Sequence, residues 1–294
     1  MILYLQNILD DIPFENLPMK WQSFDMMRFS KDKTLFDFQR RALQNALKGL
    51  WLYFVDKECD KQKLFQHYQL NGLEENLDYN LNRERKTAKY LAEYDKDYPE
   101  ENKKISFAHF INRMSFWMAT GFGKTLIIVK LIELLGKLIA EKELPARDIL
   151  FLAHRDDLLD QFKNHIEEFN SFNFDTKINL KNLRDYESVK RENALPFAKN
   201  EITVFYYRSD LISDEHKEKI VNFQNYDNGG QWYILLDEAH KGDKEDSKRQ
   251  ILYSILSRNG FLFNFSATFT DPRDFATSAF NFNLSRFFEF NAVK

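Results

Sequence analysis

The chain is expected to fold as an α/β domain with a mostly parallel sheet covered by helices on both faces, and three observations carry that expectation. From Ser115 onward, short apolar runs alternate with helical patterns. One run enters a glycine-rich turn, Gly121-Phe122-Gly123-Lys124-Thr125, that opens a helix. Another, Trp232-Tyr233-Ile234-Leu235-Leu236, ends on the acidic pair Asp237-Glu238. Continuous apolar runs mark strands buried on both faces, and strand-helix alternation marks a parallel sheet.

The elements follow in order. Residues 1–33 form an N-terminal extension of mixed character, broken early by Pro13 and Pro18. Phe36 to about Val55 has a helical pattern. Residues 56–105 are charged and tyrosine-rich, with few large aliphatics, and are expected to form a helical insertion of solvated helices. The α/β core is therefore assigned to 34–55 and 106–294. Within it, strands are expected at Ser115–Met118, Ile149–Ala153, Thr203–Tyr207, Trp232–Leu236 and Phe261–Phe265. Helices are expected at Lys124–Ile139, Asp157–Phe169 and Ser247–Ser257, with a polar stretch from Asn170 to Asn200. Glu84-Arg85-Lys86, with Asp78 upstream, has the residue types of a nuclease triplet but lacks the strand such chemistry needs.

Composition narrows the function classes. At 294 residues the chain can be one large decorated domain or two smaller ones. A net charge of -3 gives no global attraction to nucleic acid, so any such footprint must be a local cluster of Lys and Arg. Cys59 is the only cysteine, which excludes an internal disulfide or a Cys-rich zinc site and suits a reducing, cytoplasmic location. No apolar stretch approaches the ~20 residues of a membrane span, and Met1-Ile2-Leu3-Tyr4-Leu5 lacks the basic start of a signal peptide.

The turn and the acidic pair have complementary chemistry. Closely spaced glycines let backbone N–H groups approach phosphate oxygens, and the following helix turns its positive end to the same anion. Lys124 adds a charge, and the Thr125 hydroxyl is placed to ligate Mg²⁺. Met118 stands where the strict phosphate-loop pattern has glycine. Ligands of parallel sheets gather at the carboxyl ends of the strands. There Asp237 can hold Mg²⁺ and Glu238 can orient or deprotonate a water, because phosphoryl transfer depends chiefly on positioning and charge. Helix capping would also explain an acidic pair, but not its presence in one chain with Lys124-Thr125.

Met118-Ala119-Thr120-Gly121-Phe122-Gly123-Lys124-Thr125, then Asp237-Glu238-Ala239-His240, then Ser266-Ala267-Thr268 resemble motifs I, II (the DEAH box) and III of superfamily 2 helicases and translocases, in order. A methionine at 118 is familiar in that superfamily. Asp237-Glu238-Ala239-His240-Lys241-Gly242 and Ser266-Ala267-Thr268-Phe269-Thr270-Asp271-Pro272 resemble the helicase (Res) subunit of type III restriction enzymes and related motors.

The resemblance implies a RecA-like P-loop NTPase core that binds ATP and Mg²⁺. Thr120, Gly121, Phe122, Gly123, Lys124 and Thr125 would hold nucleotide, and Thr125 and Asp237 the metal. Lys124, Asp237, Glu238 and His240 would be catalytic, with Ser266 and Thr268 coupling nucleotide state to nucleic-acid grip. Leu35-Phe36-Asp37-Phe38-Gln39 resembles the upstream glutamine motif, in which Gln39 would meet the adenine edge near Phe36; an amphipathic helix start is the plainer alternative. Phe151-Leu152-Ala153-His154-Arg155 resembles motif Ia, with Arg155 on nucleic acid or, equally, in a surface ion pair with a nearby aspartate. Thr203–Ser209 fits a core strand better than a further nucleic-acid motif.

The implied partners are DNA, double-stranded favoured, a second RecA-like domain, and methyltransferase or specificity subunits if the protein is of restriction type; none is a membrane. Only Phe269 to Lys294 follows motif III, too little for the second domain with its arginine finger, so a slow ATPase without unwinding is expected. A nucleotide- or nucleic-acid-binding module without useful hydrolysis is the alternative. A small-molecule kinase would leave the second and third motifs unexplained.

Overall fold

The computed structural model describes residues 2–82, 84–192, 201–214, 218–239 and 248–282. Among these, the main sheet has seven strands: β1 (Arg113–Met118), β2 (Asp148–Ala153), β3 (Lys177–Asn182), β4 (Glu201–Arg208), β5 (Trp232–Asp237), β6 (Phe261–Ser266) and β7 (Ser278–Phe282). Their order across the sheet is β7-β1-β6-β5-β2-β4-β3, and every pairing is parallel. The chain therefore folds as the α/β domain with a parallel sheet that the alternation implies.

Among the described residues the α-helices of five residues or more are α1 (Tyr4–Asp10), α2 (Asp37–Trp51), α3 (Lys61–Leu70), α4 (Lys86–Glu93), α5 (Lys124–Ala140), α6 (Asp156–Phe172), α7 (Tyr186–Glu192), α8 (Lys248–Leu256) and α9 (Pro272–Ala276). From β1 through α5 to β2, and from β2 through α6 to β3, the chain moves toward one edge; from β5 through α8 to β6 it moves back. Right-handed crossovers running in opposite directions place their helices on opposite faces. That explains why β5 and β6 bury every residue and carry no polar alternation. α2 packs against α5 and β7, and α5 against α6, in one layer; α8 packs against α4 across the other.

Several elements depart from the sequence expectations in informative ways. The first helix is α-helical only from Asp37 to Trp51 and then widens into a π-helical turn, Leu52–Asp56. Its start is set by Phe36, which is extended, and by Gln39, whose Oε1 accepts from the Phe36 N–H at 2.8 Å. The polar stretch after Asn170 contains β3 and α7. In β3 only Ile178 is fully buried, because a strand at the sheet edge needs little apolar content. β7 pairs with β1 across an irregularity between Ser278 and Phe280.

The N-terminal segment is packed on this core. Tyr4, Leu5, Ile8 and Leu9 are buried, Lys48 donates to the Leu9 carbonyl at 2.9 Å, and buried Trp21 donates to Glu143 at 3.0 Å. Residues 56–105 combine α3 and α4 with buried Leu64, Tyr68, Tyr90, Leu91 and Tyr98, so this charge-dense segment has its own apolar inner face. Glu84 and Lys86 lie outside any strand, and Arg85 precedes α4 as its N-cap. No helix among the described residues is long and apolar enough to cross a membrane.

An ion cluster fastens the segment to the amino-terminal side of the sheet. Arg258, just before β6, donates from Nε to Asp97 at 2.8 Å and from Nη2 to Asp227 at 3.0 Å, and lies over the Tyr94 ring. Arg258 is only 7% exposed, so removing its guanidinium strands carboxylates at a packed junction. Arg258→Ala is expected to destabilise the chain by about 2–4 kcal/mol in urea unfolding, with residues 86–98 losing amide hydrogen-exchange protection first.

Candidate nucleotide site

The glycine-rich turn follows β1 directly. Gly121 and Gly123 have φ of +88° and +70°, in the left-handed region that an L side chain enters at a cost. At Gly123 space is also restricted: a Cβ there would lie 2.4 Å from the Gln39 Nε2. That nitrogen donates to the Phe122 carbonyl at 3.1 Å. Gln39 is 2% exposed, so one amide donor grips the loop while its oxygen caps its own helix. Contact with an adenine edge would have to use the remaining donor and lone pair. Phe36 is exposed and stacks on Phe38, which stacks in turn on Phe282 with ring centres 4.4 Å apart. Phe122 meets Phe38 and Phe282 edge-on. Thr120 and Gly121 lie exposed at the tip of the turn.

α5 begins at Lys124 with Gly123 as its N-cap. Lys124 and Thr125 are 7% and 8% exposed, so both side chains point inward toward the sheet's carboxyl edge. β6 alone separates β1 from β5, and its Phe265 pairs with Asp237 while Ser266 pairs with Trp117. The register thus brings together groups that are far apart in sequence. Lys124 Nζ lies 3.6 Å from Glu238 Oε1. The Glu238 N–H donates to Asp237 Oδ1 at 2.9 Å, and Glu238 itself has φ +59°, a strained conformation for a non-glycine residue.

Asp237 is 3% exposed, and its carboxyl is pushed up to about 6, chiefly by burial; Glu238 adds to the rise and Lys124 opposes it. A carboxylate held so far from water is stabilised by a second cation. The donors the sequence offers are oxygens, the carboxylate of Asp237 and the hydroxyl of Thr125, both buried. Among the described residues no group of three or more His, Cys, Asp or Glu gathers as a metal cage. Two protein oxygens completed by phosphate and water is the arrangement Mg²⁺ favours, so these residues fit that ion.

Ser266 ends β6 with its hydroxyl turned onto its own chain, accepting from the Thr268 N–H at 3.1 Å and donating to the Thr268 carbonyl; the Thr268 side chain is exposed. The turn is tied to the phosphate-loop strand by Trp117, whose indole N–H donates to the Ala267 carbonyl at 2.9 Å. Inside an apolar strand Trp117 reads from sequence as core, and nothing local marks this bond. Arg155 occupies the N-cap position of α6, and its side chain, 61% exposed, lies 3.1 Å from Asp157. Exposed pairs of this kind contribute little to stability. Next to it, Arg208 at the end of β4 bridges Asp156 at 2.7 Å and Asp210 at 2.6 Å. His240 lies outside the described residues.

The fold and this site define the first RecA-like domain of a superfamily 2 helicase or translocase motor. The family described as "Type III restriction enzyme, res subunit" matches residues 32–271, and the chain belongs to it. Two solved structures are similar to it at 14% identity: the UvsW helicase from Bacteriophage T4, with TM-score 0.35, 79% of this chain and 78% of that one covered, and T4 UvsW, with TM-score 0.36, 95% and 53% covered. No curated protein matches it.

Two outcomes follow for the site. Gly123→Ala must displace the Gln39 amide and place a Cβ at positive φ, and is expected to cost about 1–2 kcal/mol in urea unfolding. For Asp237, a folded value near 6 against 3.8 in the unfolded chain means that the folded state holds the extra proton in between. Stability from this group therefore falls as pH rises from 3.8 to about 6, and the penalty is complete above. Asp237→Asn is expected to raise stability at pH 7.5 by as much as about 3 kcal/mol, with the gain vanishing below pH ~4 in denaturation at stepped pH.

Proposed function

We propose that the chain is an ATP–Mg²⁺-binding and hydrolysing motor domain acting on DNA, of the restriction type. The observation that carries this is the meeting of Lys124 with Glu238, beside buried Asp237, at the mouth of a glycine-rich loop. In this reading the backbone of Thr120 to Gly123 cradles phosphates and the Lys124 ammonium holds the terminal ones. Thr125 and Asp237 hold Mg²⁺, which supplies charge neutralisation on the phosphates. Glu238 orients the attacking water and accepts its proton. Phe36, on the exposed rim, offers a face to the base, with Gln39 beneath it. His240 belongs to the same motif, and Ser266 and Thr268 pass the nucleotide state toward the nucleic-acid side.

Arg155 is proposed for the DNA backbone, double-stranded DNA being favoured. A second RecA-like domain lending an arginine across the terminal phosphate is worth about 10³–10⁵ in rate in related NTPases, so hydrolysis by the first domain alone is read as slow. We place the domain in the cytoplasm, with methyltransferase or specificity subunits as the partners of a restriction-type assembly.

Calorimetry with ATP–Mg²⁺ tests the site. Lys124→Ala is expected to weaken binding at least tenfold, whereas equal affinity would remove Lys124 from the mechanism. Glu238→Gln is expected to keep affinity within about threefold and to lower phosphate release at least a hundredfold, with or without DNA. Phosphate release unchanged by that substitution, or absent in both forms, would favour a binding module instead.

A further inference from the structure

Glu238 borders a second feature, a cavity of about 10 Å³ whose walls include Ser209, Leu236, Gln250 and Tyr253. A space of that size admits one water, provided polar groups face it. Gln250 supplies them. It is 8% exposed, and neither its Oε1 nor its Nε2 has a hydrogen-bond partner among the described residues. A buried amide without partners costs stability, and such groups are rare enough to demand an explanation. A methionine would fill the same volume without that cost.

The fold holds the amide in place. Gln250 sits in the first turn of α8, its carbonyl accepts from the Ser254 hydroxyl at 2.7 Å, and Tyr253 anchors the helix by donating to the Ser209 carbonyl at 2.8 Å. Glu238, meanwhile, lies 3.6 Å from Lys124. If Lys124 turns to the phosphates, as the proposed function requires, the contacts of the Glu238 carboxylate change, and the cavity it shares with Gln250 is a place where a polar contact can form.

On that reading of Glu238, we propose that Gln250 is a positioning residue for the hydrolytic step. Its Nε2–H donates to a water in the small cavity, and that water donates to the Glu238 carboxylate, setting the angle at which Glu238 holds the attacking water. Gln250 touches neither nucleotide nor metal in this arrangement.

Gln250→Met tests it, with thermal unfolding, ATP–Mg²⁺ calorimetry and DNA-stimulated phosphate release measured together. The expected result is a Tm raised by about 2 °C or more and a kcat lowered about 10- to 100-fold, with KM and Kd for ATP within twofold of the wild type. A merely structural glutamine would give the opposite Tm change, so a lowered Tm overturns the proposal. An unchanged kcat, where Lys124→Ala has lost hydrolysis, overturns it as well and leaves the motor reading standing. Wild-type hydrolysis no faster than that of Lys124→Ala overturns the motor reading, and the role of Gln250 with it.

Discussion

The contact between the Lys124 ammonium and the acidic end of β5 is the constraint around which the rest of this structure is arranged. Charges buried below a tenth exposure are tolerated only in company, and Lys124 and Asp237 are both buried to that degree at this end of the sheet. The balance is incomplete: burial still keeps the Asp237 carboxyl well above its ordinary range. A buried carboxyl raised in this way, next to a glycine-rich loop at the start of a helix, suits a ligand that brings both a cation and an anion. A metal–triphosphate complex has that composition.

Sheet order makes the contact possible. β1 and β5 each end at the same edge with β6 between them, so the loop, the acidic pair and the Ser266-Ala267-Thr268 turn converge without any of the strands bending. Two cross-links then join parts that the backbone leaves separate. Gln39 grips the loop through the Phe122 carbonyl, and Trp117 grips the turn through the Ala267 carbonyl. Both links end on main-chain carbonyls. Their geometry therefore depends on backbone position, which is what a bound phosphate would alter.

Much of this was legible beforehand, for a definable reason. Glycines at positive φ, a lysine after them and acids at the end of an apolar run are residue types that local backbone geometry and charge demand, so they stand out in one dimension. β3 is harder to read: Lys177-Ile178-Asn179-Leu180-Lys181-Asn182 alternates as a half-buried strand should, but it lies within a long polar stretch and its apolar half is only two residues. The Gln39 bond to Phe122 spans 83 residues, and no local pattern announces such a contact. Gln250 was invisible for a related reason: an amide in a helix is ordinary until its burial and missing partners are known. The apolar inner face of residues 56–105 was hidden by the charge density of the outer one, since tyrosines supply much of the buried surface there.

The rim of the sheet at β3 has a consequence of its own. Among the described residues this strand pairs only with β4, leaving a row of backbone donors and acceptors on its other side. Bare rims of that sort invite a neighbouring molecule to add a strand, which is the first step toward aggregates. Here the solvent-facing positions at either end of the alternation are Lys177 and Lys181. Two copies approaching rim to rim would bring ammonium groups toward one another, a repulsion that opposes such pairing.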